Sequence, residues 1–187
     1  MNQTKIAIFP KIKTLSAVAL LLLLFGCPQK LAPNNYAVKR VSDGDTLVAS
    51  DSAGKDIKVR FACIDAPEIS HGEPISKASN KNQFKWGNLA HQRMQQLVKQ
   101  GGGRVVLTVT DTDRYGRKVS EVRLPNGTFA QEVLTREGLA MVYRPYLKNC
   151  PSASILEQAE AEAKKKRRGV WGDSKFVPAW QFRHNDK

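Results

Sequence analysis

The 187-residue chain carries 30 Lys+Arg against 17 Asp+Glu, a formal net charge of +13 and a sequence pI near 9.9. That length suits one domain with a modest core and is short for two. Three cysteines and three histidines without zinc-type spacing exclude a zinc module, and the basic excess points to a polyanion, nucleic acid foremost, as the partner.

Lys5, Lys11 and Lys13 precede an apolar run from Leu15 to Phe25, the order of charge, short apolar core and small residue that builds a secretory signal. The run falls short of the roughly 20 apolar residues that span a bilayer. Leu24-Phe25-Gly26-Cys27 resembles a bacterial lipobox, so residues 1–26 are expected to be a signal peptide and Cys27 the lipidated residue. An uncleaved anchor, or secretion with a free Cys27, are the other readings. Removing residues 1–26 takes away three lysines and no acid, which leaves 27 basic and 17 acidic groups and keeps a formal +10 on the folded part.

Residues 27–36, with Pro28, Pro33 and Asn34-Asn35 and no apolar period, read as a tether. Val38 to Val41, Thr46 to Ala49 and Ile57 to Ile64 have β-branched or alternating patterns separated by turn signals at Asp43-Gly44 and Ser52-Ala53-Gly54, which predicts a meander of three antiparallel strands. Ile69 to Lys81 has no sustained period and reads as a loop. Trp86, Leu89, Ala90, Arg93, Met94 and Leu97 fall at helical spacing before Gly101-Gly102-Gly103. Val105 to Val109 and Lys118 to Arg123 read as two further strands. A short helix is expected from Ala130 to Glu137, capped by Gly138, and a last one from Ser154 to Arg168, opened by a Ser154/Glu157 capping box. The basic run Lys164 to Arg168 reads as a solvated helix end, which also complements the macrodipole. Trp180 and Phe182 are expected to pack the tail, 173–187, onto the domain.

Export sets an oxidising compartment, where Cys63 and Cys150 remain as a possible disulfide pair. The alternative is a buried small hydrophobe at Cys63 and an exposed thiol at Cys150.

The chemistry concentrates in three segments. Asp43-Gly44-Asp45-Thr46 and Asp65-Ala66-Pro67-Glu68 supply carboxylates, with Arg60 between them, and Tyr115-Gly116-Arg117 adds a second cation. Hard divalent cations prefer carboxylate and carbonyl oxygens, and a phosphodiester under attack requires positive charge on its oxygens. These segments together read as a metal-dependent phosphodiesterase.

Val41-Ser42-Asp43-Gly44-Asp45-Thr46, Val59-Arg60-Phe61-Ala62-Cys63-Ile64-Asp65-Ala66-Pro67-Glu68, Asp113-Arg114-Tyr115-Gly116-Arg117 and Gly138-Leu139-Ala140 follow one another as the blocks of a known family do. The chain from about Val38 to Trp171 resembles the staphylococcal nuclease family. The resemblance implies an α+β fold, an OB-fold five-stranded β-barrel with three helices, in a nuclease domain over 37–172. It also implies Ca2+-dependent cleavage of DNA and RNA. Asp45 and Asp65 match the family's calcium carboxylates, with the Ala66 main-chain carbonyl as a further ligand; Ala66 stands where the best-known member has threonine. Glu68 matches the proposed general base, and Arg60 and Arg117 the two catalytic arginines. Asp43 reads as a turn residue beside the site.

Tyr115 is expected to contact a phosphate, and Tyr143 or Tyr146 to stack a base or to pack the rim, favouring single-stranded or frayed nucleic acid. The resulting expectation is an exported, membrane-anchored bacterial lipoprotein nuclease, monomeric, or else a secreted one. A non-catalytic OB-fold protein that binds single strands is the rival reading.

Overall fold

Strands β1 (Asn35–Val41), β2 (Thr46–Ser50) and β3 (Asp56–Phe61) form the expected antiparallel meander, with Val41 opposite Leu47 and Thr46 opposite Arg60. Period-2 alternation turns Leu47, Ala49, Val59 and Phe61 inward, each at most 1% exposed, while Lys58 faces solvent. The geometry is that of a computed structural model, which describes residues 35–70, 72 and 78–185. Cys27 and the signal and tether residues up to 34 lie outside the described residues. β1 begins at Asn35, inside the expected tether, because Asn35 pairs with Val106 and its Oδ1 accepts from Arg104 Nε at 2.7 Å.

The strand expected to run from Ile57 to Ile64 stops at Phe61. Cys63 adopts a left-handed φ of 68°, which breaks the pleat. The chain resumes as β4 (Ile64–Asp65) in a separate two-stranded sheet with β7 (Met141–Val142). Strand β5 (Arg104–Thr112) pairs antiparallel with β1 and with β6 (Lys118–Arg123), and β6 lies parallel to β3. The order β1-β2-β3-β6-β5 closes on itself, an OB-type barrel in an α+β fold.

Helix α1 (Ala78–Gln100) starts before the expected Trp86 and takes in part of the segment read as a loop. Ala90, Met94 and Leu97 at i, i+4 and i+7 are buried against the barrel, whereas Leu89 is 40% exposed. Helices α2 (Ala130–Arg136) and α3 (Ala153–Lys165) pack on each other and close the core with Leu134 and Leu156.

The Ser154/Glu157 capping box does not form. Glu121, only 4% exposed, needs donors, and it takes the Ser152 amide at 2.7 Å and the Ser152 hydroxyl at 2.9 Å. That contact starts the helix at Ala153, while Glu157 pairs with Arg144. The helix stops at Lys165 rather than Arg168, and Arg167 turns left-handed at φ 51°. Lys164, Lys166 and Arg168 of the basic run all pair with Glu160 or Glu162, as a solvated helix end would.

Cys63 and Cys150 form a disulfide, Cα atoms 6.2 Å apart, tying the β3–β4 corner to the 3-10 turn at 144–149. A fourth helix, α4 (Ala179–Asn185), exceeds the expected three and lies in the segment read as a tail. Phe182 is 8% exposed with its ring edge-on to Phe84 at 6.3 Å, so the expected packing role holds for Phe182. The segment leading to α4 is bound to α1 through Trp86 Nε1, which donates to Asp173 Oδ2 at 2.9 Å, and through Gln83 Nε2, which donates to the Val177 carbonyl.

Candidate active site

Asp45 sits in the tight β1–β2 turn, where its amide donates to Asp43 Oδ1 at 2.9 Å and the Ser42 amide to the Thr46 carbonyl at 2.9 Å. A Cβ on Gly44 would lie 2.6 Å from Ala90 Cβ and 2.8 Å from Ala66 Cβ, so glycine lets the turn press on α1 and on the second acidic segment. The same device recurs at Gly87, where a Cβ would come within 2.0 Å of the Glu68 carbonyl oxygen. The Glu68 amide also donates to Gln83 Oε1 at 3.1 Å. Helix α1 therefore holds both acidic segments by close approach, through the Ala90 Cβ at Gly44 and through the backbone at Gly87. Sequence reasoning missed Gly87 and Gln83; an isolated glycine inside a helical pattern was the available signal.

Asp65 is held from the other side. β4 is paired with β7, and the Val142 amide donates to Glu160 Oε1 at 2.8 Å, a carboxylate only 2% exposed. The two acidic segments then join directly: the Ala66 amide donates to Asp45 Oδ2 at 2.6 Å. Arg60 on β3 bridges them, Nη1 donating to Asp45 Oδ1 and Nη2 to Asp65 Oδ1. Asp45 and Asp65 are each 2% exposed, and carboxylates so far from water require a cation or several donors. Burial pushes the Asp43 carboxyl above its ordinary value, against the pull of nearby Arg60.

The pair of carboxylates already accepts one shared cation, the Arg60 guanidinium, and its oxygens are hard ligands, so the donor set fits calcium. Among the described residues no three His, Cys, Asp or Glu side chains group as a metal site. Calcium takes roughly six to eight oxygens, so carbonyl, water and phosphate oxygens would complete the shell around Asp45 and Asp65.

Asp43, Arg60 and Asp65 line a groove of about 940 Å³, whereas Asp45 and Ala66 are not part of its lining. Glu68, Arg117 and the three tyrosines Tyr115, Tyr143 and Tyr146 line it as well. Arg117 leaves the β5–β6 loop with its Nε donating to Asp113 Oδ2 at 2.7 Å. Burial pushes the Asp113 carboxyl upward, but hydrogen bonds from Arg117 and Tyr115 outweigh it and hold the group below the usual carboxylate range. Tyr115 is 67% exposed, with the Arg114 and Arg117 guanidinium carbons 4.8 and 5.6 Å from its ring centre. Tyr143 and Tyr146 stack on each other at 5.6 Å and 30°.

The sequence reading missed Arg183 in this groove and gave Trp180 only a packing role. Arg183 of α4 donates through Nη2 to Asp65 Oδ2 at 2.8 Å and through Nη1 to Glu68 Oε1. Burial pulls its pKa down, but the bonds to Asp65 and Glu68 raise it further. Trp180, from the same helix, lies 5.6 Å from Tyr143, ring centre to ring centre. Each stands more than a hundred residues from the carboxylate motifs, so no local spacing could link them.

Barrel, acid pair and arginines define a class: an OB-fold protein with a carboxylate floor and a cationic rim to its groove. Residues 58–173 match the family described as staphylococcal nuclease homologue, and the chain belongs to that family. An Escherichia coli O157:H7 protein described as an uncharacterized endonuclease is 34% identical over 167 residues, 89% of this chain and 96% of that protein. A micrococcal nuclease of Shigella flexneri is 30% identical over 92% of this chain and 94% of its own. The thermonuclease of Staphylococcus intermedius is 33% identical over 73% and 76%.

Proposed function

We propose that the protein is an endonuclease that hydrolyses phosphodiester bonds of DNA and RNA with the help of calcium, exported and tethered through lipidated Cys27. The observation that carries the catalytic part is the Asp45–Arg60–Asp65 cluster beside Glu68 in a groove rimmed by Arg117. A barrel that only held single strands would gain nothing from Asp65 and Glu68 in the lining of an anion groove, with buried Asp45 joined to Asp65 through Arg60, because carboxylates repel phosphate. The signal segment and lipobox resemblance support the tether, and the net charge supports the polyanionic substrate.

Asp45 and Asp65 would hold calcium, joined by the Ala66 main-chain carbonyl. When bound, the ion supplies charge neutralisation and a fixed position for phosphate and water. Arg60 and Arg117 offer paired N–H donors to the phosphate oxygens, a fork that lysine does not reproduce. Glu68 accepts a proton from the attacking water as the new P–O bond forms in line with the departing oxygen, which leaves protonated by solvent. Tyr115, exposed on the groove rim, binds a neighbouring phosphate through its hydroxyl, and Tyr143 and Tyr146 offer stacked rings to a base.

The test incubates the full chain with single-stranded DNA, duplex DNA and RNA, with calcium or a chelator, beside Glu68→Gln. Calcium-dependent cleavage that the variant loses is the expected result. Tight binding without cleavage by the wild type would replace this reading with a binding protein.

A further inference from the structure

The family match ends at residue 173, yet α4, beyond it, reaches the carboxylates. We propose that α4 builds a nucleotide subsite on the groove wall, with Trp180 the stacking face for a base and Arg183 the cation for the adjoining phosphate. This rests on the nuclease reading above and adds to it a substrate contact from outside the matched region.

The placement of α4 is independent of the groove. Ala179 and Phe182 are buried at 2% and 8%, and the contacts of Phe182 with Phe84, Asp173 with Trp86 and Val177 with Gln83 anchor the helix and its approach to α1. Trp180, Arg183 and His184 stand at i, i+3 and i+4, which places them on one face, and all three line the groove. That face is polar and aromatic, the combination that tracks a single strand by stacking and charge.

The row of rings Trp180, Tyr143 and Tyr146 continues along the wall, with neighbouring centres 5.6 Å apart in both steps. Trp180 adds a third ring to this row, tilted 48° to Tyr143, and stands about one helical turn from Arg183. Arg183 lies over Asp65 and Glu68 with its side chain 44% exposed. A guanidinium has five N–H donors, of which two engage these carboxylates, so three remain for a phosphate. Base and phosphate of one nucleotide are separated by a single sugar, which matches a stacking residue and a cation one turn apart.

A labelled single-stranded oligonucleotide and a duplex of equal length test the subsite by fluorescence anisotropy on the full chain in chelator, where nothing is cut. Trp180→Ala weakens single-strand binding by roughly 5- to 150-fold, the range of one lost base stack, and leaves duplex binding within about twofold, because paired bases hide their faces. Trp180→Phe restores most of the loss. Arg183→Ala flattens the salt dependence of single-strand binding by about 0.7, one phosphate contact.

Unchanged single-strand affinity in Trp180→Ala overturns the proposal, as does an equal loss on duplex, which marks a packing role. Tighter binding by Arg183→Ala also overturns it, since Arg183 would then be a plug. Should the wild type bind and cleave while the variants match it, the subsite alone falls. A wild type that neither binds nor cleaves takes the nuclease reading down with it.

Discussion

At the scale of single residues, Arg60 has two separable jobs. It neutralises Asp45 and Asp65, and it faces a groove where a phosphodiester would lie. Arg60→Lys keeps the charge and loses the fork, so kcat is expected to fall by about two to three decades while the thermal midpoint moves little. Arg60→Gln removes the charge as well. Its cost in stability is about 3 kcal/mol, the low end for breaking a buried pair, because Asp65 keeps Arg183 and Asp45 keeps the Ala66 amide. Added calcium should recover part of that midpoint in Arg60→Gln by binding only the folded state, a shift that calorimetry with and without the ion measures. An Arg60→Gln midpoint indifferent to calcium would remove Asp45 and Asp65 from the ligand set.

At the scale of elements, the acidic segment depends on the clamp between β4 and β7, and the clamp on Glu160. Glu160→Ala leaves the buried Val142 amide without its acceptor and should cost about 1–3 kcal/mol in chemical denaturation, whereas Glu160→Gln keeps an acceptor and costs less. The disulfide closes a loop across a sequence separation of 87 residues, so reduction is expected to lower stability by roughly 4–5 kcal/mol in the chain-entropy picture.

The approach to α4 carries a pH signature. The Trp86 hydrogen bond, more than the opposing effect of burial, holds the Asp173 carboxyl below its ordinary 3.8. A depressed folded value means that this contact contributes fully above about pH 4 and is lost as pH falls through the folded pKa. Tryptophan fluorescence should therefore report loosening of the tail at acid pH, and Asp173→Asn should lose that transition.

At the scale of the whole molecule, the +13 charge is not concentrated in the groove, whose lining sets Arg60, Arg114, Arg117 and Arg183 against Asp43, Asp65, Glu68, Asp111 and Asp113, so phosphate binding there rests on individual arginines. Three phosphate contacts to a single strand would give a slope near −2 in log affinity against log salt, so a fourfold rise in salt should weaken binding about 15- to 20-fold. A flat salt response in an anisotropy titration would contradict a phosphate-tracking groove.

Much of this was legible in the chain itself. Alternating Leu47, Ala49, Val59 and Phe61 determined the meander, because a period of two leaves a strand only one face to bury. The segments carrying Asp45, Asp65, Glu68, Arg60 and Arg117 were readable because each motif is complete within a few residues and the motifs follow one another in the order of a known family. The tertiary structure decided the rest. Cys63 breaks β3, buried Glu121 captures Ser152 and cancels a capping box, and Gly87 lets α1 touch the Glu68 backbone; each outcome depends on a partner distant in sequence. Arg183 is the clearest case, for it lies 118 residues from Asp65 and only the packing of α4 on α1 carries its charge to the carboxylates. Local periodicity fixes which face of an element is buried, whereas long-range burial of charge selects its partner from whatever the fold brings near.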